Sequence, residues 1–133
     1  MRRVAGRSHE KERRLKVECN LFPFAPEEIR LFHDRGKCVK WCEGKFGEKP
    51  PMSDSEAQTI TCGDVAVVLM ETCGEDVWDC ALLCHEAYHI VCNHLREIGE
   101  SSAGEEVVAY MVQCVSGALM DAHMRWKEKK RCQ

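Results

Sequence analysis

The run His85-Glu86-Ala87-Tyr88-His89 contains the side chains whose types and spacing are best suited to chemistry in this sequence. Two histidines four residues apart lie about one turn apart on one face of a helix, so both imidazoles can bind the same metal ion. The glutamate beside the first histidine can reach a water molecule at the open position of that ion and take a proton from it. The pattern therefore predicts a metal site, with Zn²⁺ as the best-suited ion, that activates water.

The sequence around this motif predicts an amphipathic helix over residues 76–98. At 100° per residue, His89 lies about 40° from His85, and most apolar side chains of the helix lie on the opposite face. His94 falls on that apolar face, so we interpret it as a structural histidine and not as a ligand. The segregation favours a metal-binding pair over two histidines packed in a core.

A third protein ligand is expected on the next helix, because catalytic zinc sites usually have three protein ligands and a water molecule. That helix is predicted over about residues 102–127. Glu106 lies above a semi-polar stripe with Tyr110 and Gln113, opposite an apolar face. Glu105 lies at the edge of that stripe. We therefore predict Glu106 as the third ligand and keep Glu105 as the alternative.

These segments resemble a known family. HEAYH at 85–89 followed by EVVAY at 106–110 resembles the HExxH…E pattern of gluzincin-type zinc metallopeptidases. More narrowly, residues 82–87, 98–100 and 109–113 are similar to small phage and prophage proteins of metallopeptidase type. The resemblance covers roughly residues 30–122 and implies a minimal zincin-like domain, in which a small sheet packs with the motif helix and a third-ligand helix.

The resemblance implies a zinc-dependent peptidase that acts on a peptide or protein substrate. The implied ligands of Zn²⁺ are His85, His89 and Glu106. Glu86 is the implied general base, and Tyr110 is a candidate for a further hydrogen bond to the oxyanion, with Tyr88 as its alternative. For a phage-encoded chain, the expected location is the cytoplasm of the host bacterium.

The remaining segments predict an α+β domain with a small antiparallel sheet. A helix is expected over residues 26–46, because Pro26-Glu27-Glu28 is typical of a helix start. A loop follows over residues 47–55. Residues 59–61 and Val65–Met70 are rich in β-forming side chains, and the turn residues Cys62-Gly63-Asp64 between them predict a hairpin.

Charge is segregated along the chain, although the net charge is only −3. Residues 1–16 carry a net +5 and residues 125–133 a net +4, which leaves −12 for the segment between them. We interpret residues 1–16 as a basic N-terminal arm, residues 17–127 as a single metal-binding domain and residues 128–133 as a basic C-terminal tail. The basic ends lack the aromatic interleaving of single-strand-binding segments, which argues against nucleic acid as a partner.

Ten cysteines are many for 133 residues, and their spacings are not those of a zinc finger. Cys80 and Cys84 fall on the apolar side of the motif helix, so we predict that they are buried structural thiols. A second metal site and disulfides are the alternatives. No apolar run is long enough to span a bilayer, and no apolar segment follows the basic N-terminus as in a secretory signal.

Two other functions are compatible with the same sequence. One is a non-catalytic phage accessory or inhibitor protein that binds a host factor on a zincin-like scaffold. The other is a nucleic-acid-binding module that uses the basic ends. Zinc stoichiometry and the effect of Glu86→Gln separate the enzyme from the binding protein, and a steep salt dependence of binding would favour the nucleic-acid module.

Overall fold

The computed structural model describes residues 17–19, 25–71 and 74–132. Within them, three strands and three helices form a mixed α+β domain, which confirms the predicted class. In chain order they are β1 Glu28–Phe32, α1 Arg35–Phe46, β2 Ala57–Cys62, β3 Val65–Met70, α2 Asp76–Glu97 and α3 Glu105–Arg131. The predicted N-terminal arm, residues 1–16, lies outside the described residues.

The sheet has the strand order β1-β3-β2, with β3 in the centre. β2 and β3 are antiparallel and form the predicted hairpin, whose turn contains Gly63 at φ 56°, a left-handed conformation that glycine adopts without steric cost. β1 pairs in parallel with β3, with Glu28 opposite Val65. The predicted antiparallel pair is thus present, but the sheet is mixed and not antiparallel throughout, because the segment before α1 adds a parallel strand.

The prediction of a helix over residues 26–46 is wrong in its first part. Ile29 and Leu31 are both buried on one face of β1, and this alternation is the period of a strand. The helix begins only after Asp34, whose carboxylate accepts a hydrogen bond from the backbone N–H of Lys37 at 2.8 Å. This N-cap satisfies one of the donors that a helix start leaves unpaired, and it fixes the start of α1 beyond the strand.

The sheet lies between two helical layers, so both of its faces are buried. Ala66, Val68 and Met70 on β3 pack with the helical hairpin of α2 and α3, whereas Val67 and Leu69 pack with α1. A strand covered on both faces is apolar at successive positions, as β3 is. The larger core, between the sheet and the helical hairpin, includes Leu83, Ala87, Ile90, Val91, Met111, Val115 and Leu119.

The two long helices and the loop over residues 47–55 occur where the sequence predicts them. α2 ends just before Gly99, which has φ 75°. α3 continues beyond the predicted end, so that residues 128–131 are helical, and its last turn carries Lys129, Lys130 and Arg131. Cations at this end interact favourably with the helix dipole and support the extra turn. In the described ranges, no helix combines the length and apolar character needed to cross a bilayer.

Candidate functional site

His85 and His89 lie on the exposed side of α2, one turn apart, as the motif predicts. Their Nε2 atoms are 3.1 Å apart, with the ring planes at 69°. Two nitrogen ligands of a tetrahedral Zn²⁺, each about 2.0–2.1 Å from the ion, are separated by about 3.3 Å. The two imidazoles therefore converge with nearly the spacing that one ion requires. The same distance between the two Nε2 atoms also suits a hydrogen bond from one imidazole to the other. A bound ion would take the place of the hydrogen in that bond.

Glu86 points away from the solvent side of α2, towards the sheet. Its side chain is 4% exposed. The hydroxyl of Thr59, on β2, donates a hydrogen bond to Oε2 of Glu86 and also lies 3.4 Å from the backbone carbonyl oxygen of the same residue. The edge strand β2 therefore holds the carboxylate of the candidate base. No motif in the sequence predicts this contact, because the register between a strand and a later helix depends on tertiary packing.

A cleft of about 300 Å³ opens between β2 and α2 at the motif. The indole N–H of Trp78 donates a hydrogen bond to the carboxylate of Glu56 at 2.8 Å, and both side chains line the cleft. The other lining residues are Ser55, Ala57, Ala81, Leu82, His85 and Glu86. The candidate base and one imidazole thus face a common space that a water molecule can enter.

The predicted third ligand does not join the histidine pair. Glu106 is exposed in the first turn of α3, and Glu105 lines a groove between α2 and α3. His89 lies about two turns before the end of α2, whereas Glu105 and Glu106 begin α3 just after that end. The histidine pair and the two glutamates therefore lie at different positions along the length of the helical hairpin. Among the residues that the structure describes, no three His, Cys, Asp or Glu side chains are close enough to hold one metal ion. The choice between Glu105 and Glu106 stays a prediction.

Both candidate tyrosines are exposed, Tyr88 at 54% and Tyr110 at 63%. A hydrogen bond with the thiol of Cys92 raises the pKa of Tyr88 above its usual value. Tyr88 also lines the groove between α2 and α3, on the side of the motif away from β2. The role of either tyrosine as an oxyanion donor stays a prediction.

The prediction that Cys80 and Cys84 are buried is wrong, since Cys84 is exposed and Cys80 is partly exposed. Cys84 lines the groove between α2 and α3 together with Gly117, which has no side chain to fill it. Among the described cysteines, the buried ones are instead Cys38 and Cys42 on α1, and burial raises the pKa of the Cys38 thiol to about 12. The other free thiols in the described part of the chain include those of Cys62, Cys92, Cys114 and Cys132.

A second group of side chains lies away from the motif, and we call it the histidine cluster: Asp79 and His123, which are buried, and His33 and Trp126, which are partly buried. Nε2 of His123 lies 3.2 Å from Oδ2 of Asp79, and its Nδ1 lies 2.9 Å from Nε2 of His33. The ring of His33 stacks on Trp126 with centroids 3.6 Å apart. Burial, and then the nearby charges of His123 and Lys130, lower the pKa of His33 to about 3. The cluster ties α2 and α3 to the segment between β1 and α1.

His94 is buried, as expected for a structural histidine, and its Nδ1 lies 3.8 Å from the carboxylate of Asp64. The structure thus separates the histidines of the described residues by environment, and among them only the pair on α2 is both convergent and open to solvent. Comparison of this chain with protein-family models, with curated proteins and with solved structures gives no match.

Proposed function

We propose that the protein is a zinc-dependent metallopeptidase whose site is formed by α2 and β2. The observation that carries this proposal is the 3.1 Å approach of the Nε2 atoms of His85 and His89 on the solvent side of one helix. Glu86, the residue next to the first histidine, lines the same cleft as His85. Donor type, spacing and solvent access of the two imidazoles all suit Zn²⁺.

Glu106 is the proposed third ligand, with Glu105 as the alternative. Both residues lie in the first turn of α3, whose N-cap is Gly104, a residue without a side chain that could cap the helix. A terminal helical turn has unpaired backbone groups and can shift at lower cost than a turn in the middle of a helix. A movement of this turn towards the histidine pair would complete a set of two imidazoles and one carboxylate.

The chain's own side chains then have separate tasks. When bound, Zn²⁺ supplies Lewis-acid polarisation of a carbonyl and a lower pKa for water. Glu86 takes the proton of the attacking water and transfers it to the leaving amine. The hydroxyl of Thr59 donates a hydrogen bond to Oε2 of the Glu86 carboxylate. β2 is an edge strand, so an extended peptide can pair with it beside the cleft.

The alternative function is a non-catalytic protein that binds a host factor on the same scaffold. The observation that favours it is the exposure of large apolar side chains on the two long helices, among them Val77, Trp78, Tyr88 and Tyr110. Exposed aromatic residues are enriched where proteins bind one another. For either function we propose the host cytoplasm as the location, because the many free thiols among the described cysteines suit a reducing compartment.

Metal binding is tested by elemental analysis of the purified protein and by thermal unfolding with and without added zinc. We expect zinc to raise the melting temperature of the wild type, since an ion at one hundred times its dissociation constant adds about 2.7 kcal/mol to stability. His85→Ala and His89→Ala should abolish that rise. Glu97→Ala, which removes an exposed carboxylate on the same helix, is the control and should retain it. A wild-type melting temperature that zinc does not change would contradict the proposed site.

Hydrolysis is tested with a peptide library and the zinc-loaded protein. Glu86→Gln should keep the fold and most of the zinc but lose hydrolysis by about 10²–10⁴-fold, because the amide cannot act as a base. Glu97→Gln, again on α2, should cleave as the wild type does. Zinc binding without hydrolysis would reject the enzyme in favour of the binding protein. Zinc affinities of Glu105→Ala and Glu106→Ala would identify the third ligand, and we expect the larger loss for Glu106→Ala.

A further inference from the structure

We propose that Thr59 is a positioning residue for Glu86: its hydroxyl selects one orientation of the carboxylate and reserves Oε1 for the water that reacts. This inference rests on the proposed function and concerns the same cleft. It starts from the observation that the buried carboxylate of Glu86 is bonded through Oε2 to a hydroxyl of the edge strand.

Two threonines on this face of β2 form side-chain hydrogen bonds with α2. Thr59 bonds Glu86, and the amide of Asn93 donates to the hydroxyl of Thr61 at 3.3 Å. Thr59 and Thr61 share a strand face because they are two residues apart, and Glu86 and Asn93 lie about two helical turns apart. Only the first of these contacts reaches the motif, so the second provides a matched control on the same strand and helix.

The Thr59 hydroxyl has a specific consequence for the two carboxylate oxygens. A glutamate side chain has several rotamers, and burial without a partner would drive its carboxylate out of the crevice or require a water molecule there. In the described structure the hydroxyl of Thr59 is the hydrogen-bond donor to this carboxylate, and it uses Oε2. Oε1 is then the oxygen that remains to accept a proton in the cleft shared with His85.

A purely structural threonine would give a different result from a positioning one. Thr59→Val keeps the shape and removes the hydroxyl, whereas Thr59→Ser keeps the hydroxyl. We expect Thr59→Val to lower kcat on a cleaved library peptide by about 10–100-fold with KM nearly unchanged, since a misplaced catalytic group costs rate rather than binding. Thr59→Ser should restore kcat to within about threefold of the wild type. Thr61→Val should leave kcat within the same range.

A second measurement needs no activity and no metal. The unfolding equilibrium constants of zinc-free wild type, Thr59→Val, Glu86→Ala and the double variant form a double-mutant cycle. We expect the two changes to be non-additive by about tenfold in that constant, because they remove the same hydrogen bond. The cycle of Thr61→Val with Glu86→Ala should be additive.

The outcomes separate this inference from the proposed function. An additive Thr59–Glu86 cycle overturns the inference, and so does an unchanged kcat in Thr59→Val or an equal loss of kcat in Thr61→Val. If the zinc-loaded wild type cleaves no peptide, the enzymatic function fails, and the cycle alone then decides whether Thr59 holds the carboxylate of Glu86. Coupling together with rescue by serine supports the inference in full.

Discussion

Acid should destabilise this fold through His33, the outer member of the histidine cluster. Its pKa is about 3 in the folded protein against about 6.5 in an unfolded chain, because the ring is buried and lies close to His123 and Lys130. Between these two pH values the unfolded chain binds a proton that the folded protein does not bind. Stability is therefore complete above about pH 6.5 and falls as the pH is lowered towards 3.

The size of this effect follows from the difference in pKa. One pKa unit corresponds to about 1.4 kcal/mol, so His33 costs roughly 2 kcal/mol of stability at pH 5 and roughly 3–5 kcal/mol at pH 3. Domains of this size are stable by about 5–15 kcal/mol in total. A proton on His33 would also place a positive charge close to Lys130 and against the ring of His123, and both contacts disfavour the charged form of His33.

The assay is urea unfolding of the zinc-free protein between pH 4.5 and 7.5, with wild type and His33→Gln compared at each pH. Glutamine keeps a donor for Nδ1 of His123 and removes the titrating ring. We expect the slope of the unfolding free energy against pH to be lower in His33→Gln by up to about 1.4 kcal/mol per pH unit. The contributions of groups remote from His33 are common to both proteins and cancel in the difference. Equal slopes would refute the reasoning.

Three further predictions concern the fold. In the native protein, a thiol reagent should label exposed Cys84 quickly and buried Cys38 only on unfolding. Mass spectrometry of the labelled peptides measures both rates, and labelling of native Cys38 as fast as that of Cys84 would contradict the prediction. Leu83→Ala should lower the unfolding free energy by about 2–5 kcal/mol in urea titration, because the side chain is fully buried, and a loss below 1 kcal/mol would contradict that burial. Gly63→Ala should cost about 1 kcal/mol because φ is positive, whereas Gly44→Ala inside α1 should add about 0.5–1 kcal/mol; equal effects in calorimetry would reject the left-handed turn.

The parts of the fold that the sequence predicts are those with local causes. The 3.6-residue period of α2 brings His85 and His89 to one face without help from the rest of the chain. The hairpin of β2 and β3 follows from the turn at Gly63 in the same way. Contacts between residues close together in the sequence could therefore be predicted, and the pairing of His85 and His89 is one of them.

The parts that escape prediction depend on partners far away in the sequence. β1 is a strand because it pairs with β3, and the residue pattern over 26–32 does not predict that a parallel strand lies beside it. The bond from Thr59 to Glu86 and the chain from Asp79 through His123 to His33 depend on how layers pack, which single-residue preferences do not encode. Cys84 is exposed although its helical-wheel position is apolar, because the groove towards α3 stays open there.

The parallel pair of β1 and β3 has a consequence for the order of folding. Leu31 lies opposite Val68, and the chain between them includes α1, the long loop and β2. Contacts that close so long a loop form late, whereas the β2–β3 and α2–α3 hairpins join neighbouring segments. We therefore expect a φ-value near zero for Leu31→Ala in β1 and a higher one for Leu83→Ala in α2. The segment Ala57–Arg131, which contains every residue of the proposed zinc site, would then assemble before the sheet is closed by its third strand.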